Sequence, residues 1–287
     1  MLKVIKRLLK HDKRFLVSFS IISIFIVLAI ISLFATHDLT EWNVFERDLP
    51  MSWQHPLGTN SMGQDIMWKA MASIRNTFII SVVALIISRI IAISLGLFAG
   101  YKGGYVEKVL MTINDSFVII PLFPILILVS TVLGGSVEVY KLGIILGLLG
   151  WSRSARVYHS QILSVKERAF TKTALQSGMS TYKIISREHL PYIFPLIMAT
   201  SINNMIWIIG MEVTLSILGL ANLSIPTLGT MIHWALDYQA IFLNSWNWIL
   251  TPVILVISLI ISLFFMSTSV SEYLDPRTRV KMLRGDE

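Results

Sequence analysis

The chain has 287 residues, of which 54% are hydrophobic and 14% are charged, and its formal net charge is +7. Soluble domains carry about 25% charged residues, so this composition excludes an ordinary soluble domain and indicates a multi-pass membrane protein. The absence of cysteine excludes a disulfide framework, a thiolate metal site and a cysteine nucleophile.

The chain begins with a basic arm, residues 1–14, and a predicted membrane helix over residues 15–36. The apolar run FLVSFSIISIFIVLAIISLFA has the roughly 20 residues that a spanning helix requires. A cleaved signal peptide would have an apolar core of about 7–15 residues and a small-residue cleavage site. The stretch SLFATHD matches such a site poorly, so the pattern favours an uncleaved signal anchor.

An external segment over residues 37–76 is predicted next, and five further apolar runs follow it. These runs are too long for strands and do not alternate, so each is predicted to be a helix. They lie at 77–101, 109–133, from near 142, 192–220 and 248–270. The run from near 142, LGIILGLLGW, must extend towards Arg153 to span. The sequence thus predicts an all-α fold with six transmembrane helices, five of them in a core over residues 77–270.

The positions of lysine and arginine predict the orientation of these helices. Six spans place both termini on one side of the membrane, and most of the 24 lysine and arginine residues fall on that side. They lie in the arm, the 102–108 loop, the 152–191 loop and the tail, 271–287. Because cytoplasmic loops carry this excess, both termini are predicted to be cytoplasmic. The positive charge is then a topology signal, and nucleic-acid binding is not expected.

The loop over residues 160–191 is more elaborate than a connection between two spans requires. Gly178 is typical of a position just past a helix end, Ser180 can cap a second helix, and Pro191 is expected to end it. The apolar residues of the first helix recur at roughly helical spacing, at Ala169, Phe170, Ala174 and Leu175. Such a helix either inserts into a groove of a partner or lies on lipid headgroups, and periodicity does not decide between the two.

The segment TALQSGMSTYKIISREHLP resembles the EAA loop of permease subunits of bacterial ATP-binding-cassette (ABC) importers. That pattern runs Glu-Ala-Ala, three residues, Gly, and then a hydrophobic stretch that ends near a proline. The matching positions are Ala174, Gly178, Ile184, Leu190 and Pro191. Lys172 stands where the glutamate usually is, and Thr173 stands where the first alanine usually is.

In importers of this family the loop carries a coupling helix that docks in a cleft of a cytoplasmic ATPase. The resemblance therefore implies an ATPase-coupling role for one set of residues in this loop. These residues are Lys172, Thr173, Ala174, Gly178, Ser180, Ile184, His189 and Pro191. His189 is expected to cap or pack the end of the loop.

The stretch HPLGTNSMGQDIMWKAMASIRNTF is similar to the external segment of the second permease subunit of dipeptide, oligopeptide and nickel importers. The positions on that pattern are His55, Pro56, Leu57, Gly58, Thr59, Gly63 and Asp65. Gln64 replaces a usual arginine and Asn60 a usual aspartate. The blocks AGYKGGYVEKVLM, EVTLSILGLA and LDPR are also similar, in the family order. The resemblance implies a type I ABC importer permease fold, in the bacterial cytoplasmic (inner) membrane, for peptides or, second, nickel or another metal chelate.

The resemblance also implies a complex with a homologous permease subunit, two cytoplasmic ABC ATPase subunits and an external substrate-binding protein. The sequence has no G-x-x-x-x-G-K-[ST] phosphate loop, so ATP and Mg²⁺ are expected on the partner ATPases. Neither catalysis nor a cofactor is expected in this chain. The six histidines lack spacing such as H-E-x-x-H, so no metal site is expected either.

Polar residues within the predicted spans are candidates for a translocation path, because charge is costly in lipid. They are Arg89, Asn114, Asp115, Asn203, Asn204 and Glu212. An arginine at the centre of a span costs about 2.5–3.5 kcal/mol on insertion scales. Arg89 is therefore expected to pair with Asp115 or Glu212, to snorkel, or to lie on the substrate path.

The three amide-bearing candidates have two interpretations each. Asn114, with Asp115, is expected to have an architectural role near the start of the third span, and pathway lining is the second interpretation. Asn203 and Asn204 are expected to bond to another helix rather than to line a polar conduit.

Two other classes of protein stay open on the sequence. One is an ion-coupled transporter that uses Arg89 and Asp115 as its charge pair. The other is a membrane receptor or assembly factor that does not transport and uses the 160–191 loop as a protein dock.

Overall fold

The computed structural model describes residues 8–10, 12–132 and 138–274. Within these ranges the regular structure is helical, apart from an isolated bridge between Thr59 and Asp65. The predicted all-α fold class is therefore confirmed.

Parts of the predicted terminal segments lie outside the described residues. They are residues 1–7 and 11 of the basic arm and residues 275–287 of the tail. The last three residues of the LDPR block fall in that second range.

The helices are numbered α1 to α10 in chain order. Their bounds are Lys13–Ile31 (α1), Ile66–Lys102 (α2), Gly104–Ile119 (α3), Leu122–Val132 (α4), Val139–Leu149 (α5), Ser152–Lys166 (α6), Ala169–Gln176 (α7), Thr181–Ile217 (α8), Leu228–Asp237 (α9) and Trp246–Leu274 (α10). In the part of the chain that the structure describes, α1, α2, α8 and α10 are long and apolar enough to cross a membrane. The bent pair α3 and α4 brings this count to five.

The second predicted span begins earlier than its hydropathy indicates. Helix α2 begins at Ile66 rather than at residue 77, because Oδ1 of Asp65 caps it by accepting a hydrogen bond from the amide of Trp68 at 2.9 Å. The first turns bury polar groups against the external segment, and Nζ of Lys69 donates to the carbonyl of Leu39 at 2.9 Å. These polar residues lower the mean hydropathy of the first turns of α2, so the sequence predicts the start of the span too late.

The third predicted span, 109–133, is two helices rather than one. Helices α3 and α4 meet at Ile120 and Pro121 with a bend of 78°. Proline restricts the residue before it to extended geometry, and Ile120 has a ψ of 125°. The chain therefore changes direction inside the region that the sequence predicts to be one rod.

The fourth predicted span is also divided. Helix α5 has 11 residues, about 16 Å of rise, and ends at Gly150. Helix α6 starts at Ser152 as a separate, amphipathic element. The expectation that one helix extends from near residue 142 to the residues around Arg153 is therefore wrong.

Helix α8 continues through the proline that was expected to end a helix. The turn Ile184–His189 is π-helical, with hydrogen bonds to the fifth residue, and regular α-helix resumes at Leu190. Pro191 has no N–H to donate, and it lies where the bonding pattern changes register. The predicted stop at Pro191 is wrong for this reason.

Helix α2 lies at the centre of the described fold and packs against α5 and α6. Small residues permit this close approach. A Cβ at Gly96 would lie 2.6 Å from the carbonyl oxygen of Ala155 in α6. A Cβ at Gly147 of α5 would lie 2.8 Å from the carbonyl oxygen of Ala84 in α2.

Candidate functional site

The short helix α7 ends in a sharp corner at Gly178. The amide of Met179 donates to the carbonyl of Ala174 at 3.1 Å, and the amide of Gly178 donates to that of Leu175 at 3.0 Å. This pair of bonds is a Schellman motif, which requires the left-handed conformation that Gly178 adopts with φ +74°. The chain then turns directly into α8.

A buried hydrogen-bond chain fastens α7 to its neighbours. The hydroxyl of Thr171 donates to the carbonyl of Val165 at 3.0 Å, at the end of α6. Because that hydroxyl has one hydrogen, Nε2 of His189 is the donor in the 3.0 Å bond to Oγ1 of Thr171. The His189 ring also packs edge-on against Tyr101 of α2, with centroids 5.3 Å apart.

Apolar packing completes this anchor. Ala174 and Ile184 are buried in one cluster that draws on α2, α6, α7 and α8. The other buried members of the cluster are Ala92, Leu97, Tyr101, Trp151, Ala155, Tyr158, Ile162, Val165, Ile193 and Ile197. Helix α7 therefore moves with the helices that hold it.

The opposite face of this segment is exposed. Lys172, in place of the usual glutamate, lies 3.6 Å from Glu167, and both side chains are open to solvent. Ser180 occupies the cap position of α8, but its side chain makes no capping bond. Thr173 points outward, as do Leu175 and Tyr182.

The predicted apolar stripe of this loop is divided between the two faces. Phe170 and Ala174 pack inward, whereas Ala169 and Leu175 are exposed. Thr171 is fully buried in the place of an apolar residue, because its two hydrogen bonds satisfy the hydroxyl.

A cavity of about 510 Å³ lies between α3, α4, α6 and α8. This volume is within the range of about 300–1,000 Å³ that is typical of sites for small ligands. The cavity is lined by Phe117, Val118, Ile120, Leu122, Phe123, Leu149, Gly150, Ser152, Arg153, Ser154, Val157, Thr200, Asn203, Asn204, Trp207 and Met211. The breaks between α3 and α4 and between α5 and α6 both open onto it.

Two of the predicted path residues, Asn203 and Asn204, line this cavity and also join helices. Oδ1 of Asn204 accepts from Ser88 of α2 at 2.8 Å, and its Nδ2 donates to the carbonyl of Gly150 at 3.1 Å. Oδ1 of Asn203 accepts from Ser267 of α10 at 2.8 Å. Each asparagine therefore bonds to another helix, as the sequence analysis expects, and also faces this cavity.

The expected pairing of Arg89 with Asp115 or Glu212 is wrong. Arg89 donates to the hydroxyls of Tyr158 and Ser154, both at 2.7 Å, and lies directly behind the cavity wall. Helix α6 approaches α2 closely enough to supply these hydroxyls, and the two acids have other partners.

The remaining predicted path residues lie away from this cavity. Asp115 forms an ion pair with Arg156 and lies at a second cavity, of about 880 Å³, between α3 and α6. Asn114 is buried, with Nδ2 3.4 Å from Asp115. Glu212 is fully buried and accepts from Ser216 at 2.9 Å. The charge pair that an ion-coupled transporter required does not form.

Sequence reasoning missed most residues of the cavity wall, and four of them matter for its chemistry. They are Arg153, Ser154, Thr200 and Trp207. The sequence offers one signal for Arg153: it lies three residues after Gly150, which ends an apolar run. The other three require knowledge of which helix faces meet.

These features define a multi-pass helical membrane protein that combines a membrane cavity with a projecting helix at one end. Residues 92–280 match the model of a family described as binding-protein-dependent transport system inner membrane component. Two relatives are oligopeptide transport system permease proteins OppC. That of Lactococcus lactis subsp. cremoris is 28% identical over 277 residues, 95% of this chain and 94% of its own. That of Mycobacterium bovis is 28% identical over 233 residues, 80% and 78% of the two chains.

The chain belongs to this family of inner membrane transport components. It has the type I ABC importer permease fold, and the resemblance read from its motifs is confirmed. It is a multi-pass inner membrane protein that works as part of an ABC importer. The receptor and the ion-coupled transporter that the sequence left open are set aside.

Proposed function

We propose that this chain imports peptides, and that α7 with its corner at Gly178 docks a cytoplasmic ATPase as the coupling helix. The peptide cargo rests on the relatives, which are oligopeptide transport permeases by name. The docking role rests on one observation: α7 is bonded to the core on one face and open on the other.

The same two helices hold α7 and line the cavity. Helix α6 bonds α7 through Val165 and lines the cavity through Ser154, about 16 Å away along its axis. Helix α8 bonds α7 through His189 and lines the cavity through Asn203, about 21 Å away. A displacement of α7 by an ATPase therefore tilts two cavity walls together, because packed helices move as rigid rods.

The proposal includes the arrangement of the complex. The path for peptides lies between this chain and a homologous permease subunit, and an external substrate-binding protein delivers the cargo. Two partner ATPases bind ATP and Mg²⁺, and this chain supplies no cofactor site. Both termini and α7 face the cytoplasm, as the lysine and arginine distribution favours. This arrangement needs a sixth crossing, which α5 and α6 make together as they run beside α2 from Ile80 to Gly100.

Uptake of a radiolabelled peptide tests the proposal in cells that express the whole transport system. Tyr182→Asp alters the exposed docking face, where the tyrosine is 78% exposed. Phe242→Asp is the matched control, because Phe242 is 84% exposed and lies in the segment before α10. Peptide uptake and co-purification of the ATPase should fall at least about tenfold for Tyr182→Asp alone, the effect of losing a well-packed aromatic contact.

Three results would contradict the proposal. The docking role fails if Tyr182→Asp retains both the ATPase and the uptake. The peptide cargo fails if cells accumulate a nickel chelate but no peptide. The whole scheme fails if the purified complex contains no ATPase.

A further inference from the structure

The cavity between α3, α4, α6 and α8 has an unbalanced charge. Arg153 lines it, and none of its lining residues is acidic. Among the described residues, Arg153 has no ion-pair partner. The Arg153 side chain is exposed at the cavity, so its guanidinium is available to form a charge-assisted bond with an anionic occupant.

The N-terminus of α6 adds to this positive field. Helix α6 has 15 residues, and its cap position is Trp151, whose side chain makes no capping bond. The first turn, with Ser152, Arg153 and Ser154, lines the cavity. Uncapped amides at a helix N-terminus favour anions, and an arginine in the first turn opposes the helix dipole unless an anion is bound there.

A second, buried arginine is aimed at the same wall. Arg89 is 7% exposed, and its guanidinium contacts only neutral groups among the described residues. It donates to Ser154 at 2.7 Å and to Thr200 at 3.4 Å, both of which line the cavity. Its Nε has no hydrogen-bond partner within the described chain. Two arginines without an acidic partner among the described residues therefore lie at this wall: Arg153 lines the cavity, and Arg89 lies behind the lining residues.

Two polar side chains that line the cavity, Ser154 and Asn203, each have a hydrogen-bond donor free. Oγ of Ser154 accepts from Arg89, so its own hydrogen is free to point towards the cavity. Oδ1 of Asn203 is taken by Ser267, which leaves its NH₂ group to donate. The carbonyl of Gly150 is taken by Nδ2 of Asn204.

We propose that this cavity is a carboxylate subsite that receives the C-terminal carboxylate of a peptide during transport. The inference rests on the proposed function for the peptide itself. Arg153 forms the direct ion pair, Ser154 donates a second bond, and Arg89 strengthens that donor from behind. Charge-assisted bonds of this kind are about twice as strong as neutral ones, so the subsite discriminates a carboxylate from an amide.

The test uses the complete complex in proteoliposomes and two peptides of one sequence, one with a free C-terminal carboxylate and one with a C-terminal amide. Titration first brings the binding protein to full occupancy with each peptide. Transport by the unmodified complex should favour the carboxylate by about tenfold, the effect of one charge-assisted bond. Arg153→Gln should bring the ratio near one, and Arg153→Lys should keep most of it. Arg47→Gln, on the external segment, is the matched control and should change nothing.

Each other outcome overturns the inference in a recognisable way. Equal transport of both peptides by the unmodified complex overturns the subsite and leaves the peptide function intact. An unchanged preference in Arg153→Gln also overturns it. If Arg153→Gln slows both peptides equally and loosens the permease pair, Arg153 instead pairs with an acidic side chain of the partner permease. If the unmodified complex carries neither peptide, the proposed function fails and the subsite fails with it.

Discussion

At the scale of single residues, the junction of Thr171 and His189 decides how α7 is held. The two side chains are fully buried, and the N–H of His189 depends on the Thr171 hydroxyl for its hydrogen bond. A buried polar pair is specific because removing one partner leaves the other unsatisfied. Apolar contacts at Ala174 could slide, whereas this bond fixes the rotation and position of α7.

Thr171→Val is predicted to loosen this junction without changing its volume. The substitution leaves the N–H of His189 unpaired, at a cost of about 1–3 kcal/mol in unfolding free energy, while the carbonyl of Val165 keeps its bond from the amide of Arg168. Thr131→Val on α4 is the control, because Thr131 is exposed, lies outside α7 and its docking face, and donates its hydroxyl to the carbonyl of Leu128. Thermal unfolding of the purified complex and peptide-stimulated ATPase activity measure the effect. Equal values for the two variants would show that the bond does not hold α7.

At the scale of helices, local sequence predicts where helices exist better than where they break. Pro121 divides a predicted span into α3 and α4, while Pro191 lies inside α8. Both prolines follow an apolar residue in a helical pattern, so the local signal is the same. Helix α8 does not end at Pro191 because a π-helical turn precedes it. The apolar pattern does not predict such a turn.

The close packing of α2 against α6 depends on a glycine at position 96. Gly96→Ala should destabilise the protein, because the added Cβ would lie 2.6 Å from a backbone oxygen of α6 that cannot move alone. Gly210→Ala in α8 is the matched control, since nothing lies within 4 Å of a Cβ there. Overpacking should lower the unfolding free energy by about 1–3 kcal/mol at Gly96. At Gly210 the higher helix propensity of alanine should be neutral or stabilising by up to about 1 kcal/mol.

Thermal unfolding of the two variants in one detergent measures this difference. A Gly96→Ala protein as stable as Gly210→Ala would mean that α2 and α6 are not in close contact.

At the scale of the whole molecule, α2 relates the two ends of the protein. Its 37 residues rise about 55 Å, more than the roughly 30 Å of a bilayer core. Ile66 begins α2 beside the 37–65 segment, and Tyr101, near its other end, packs on His189 beside α7. The 37–65 segment and α7 therefore lie at opposite ends of α2.

Some parts of the candidate site can be predicted from the sequence, and others depend on how distant helices meet. The glycine corner of the coupling loop follows a local motif, and polarity within an apolar run marks Asn203 and Asn204. Arg153 was not predicted to be a site residue, because its position in the cavity wall depends on two helix breaks that meet there. The partners of Arg89 lie 65 to 111 residues away in sequence, so periodicity could not indicate them.

The orientation of the molecule can be tested because the natural chain has no cysteine. Trp53→Cys places a thiol at a fully exposed position of the 37–65 segment, and Tyr105→Cys places one at an exposed position in the first turn of α3. A membrane-impermeant maleimide should label Cys at position 53 in intact cells and at position 105 only after the membrane is opened. The cysteine-free chain is the control for background. The reverse labelling pattern would place α7 outside the cell, where no ATPase can reach it, and would contradict the coupling role.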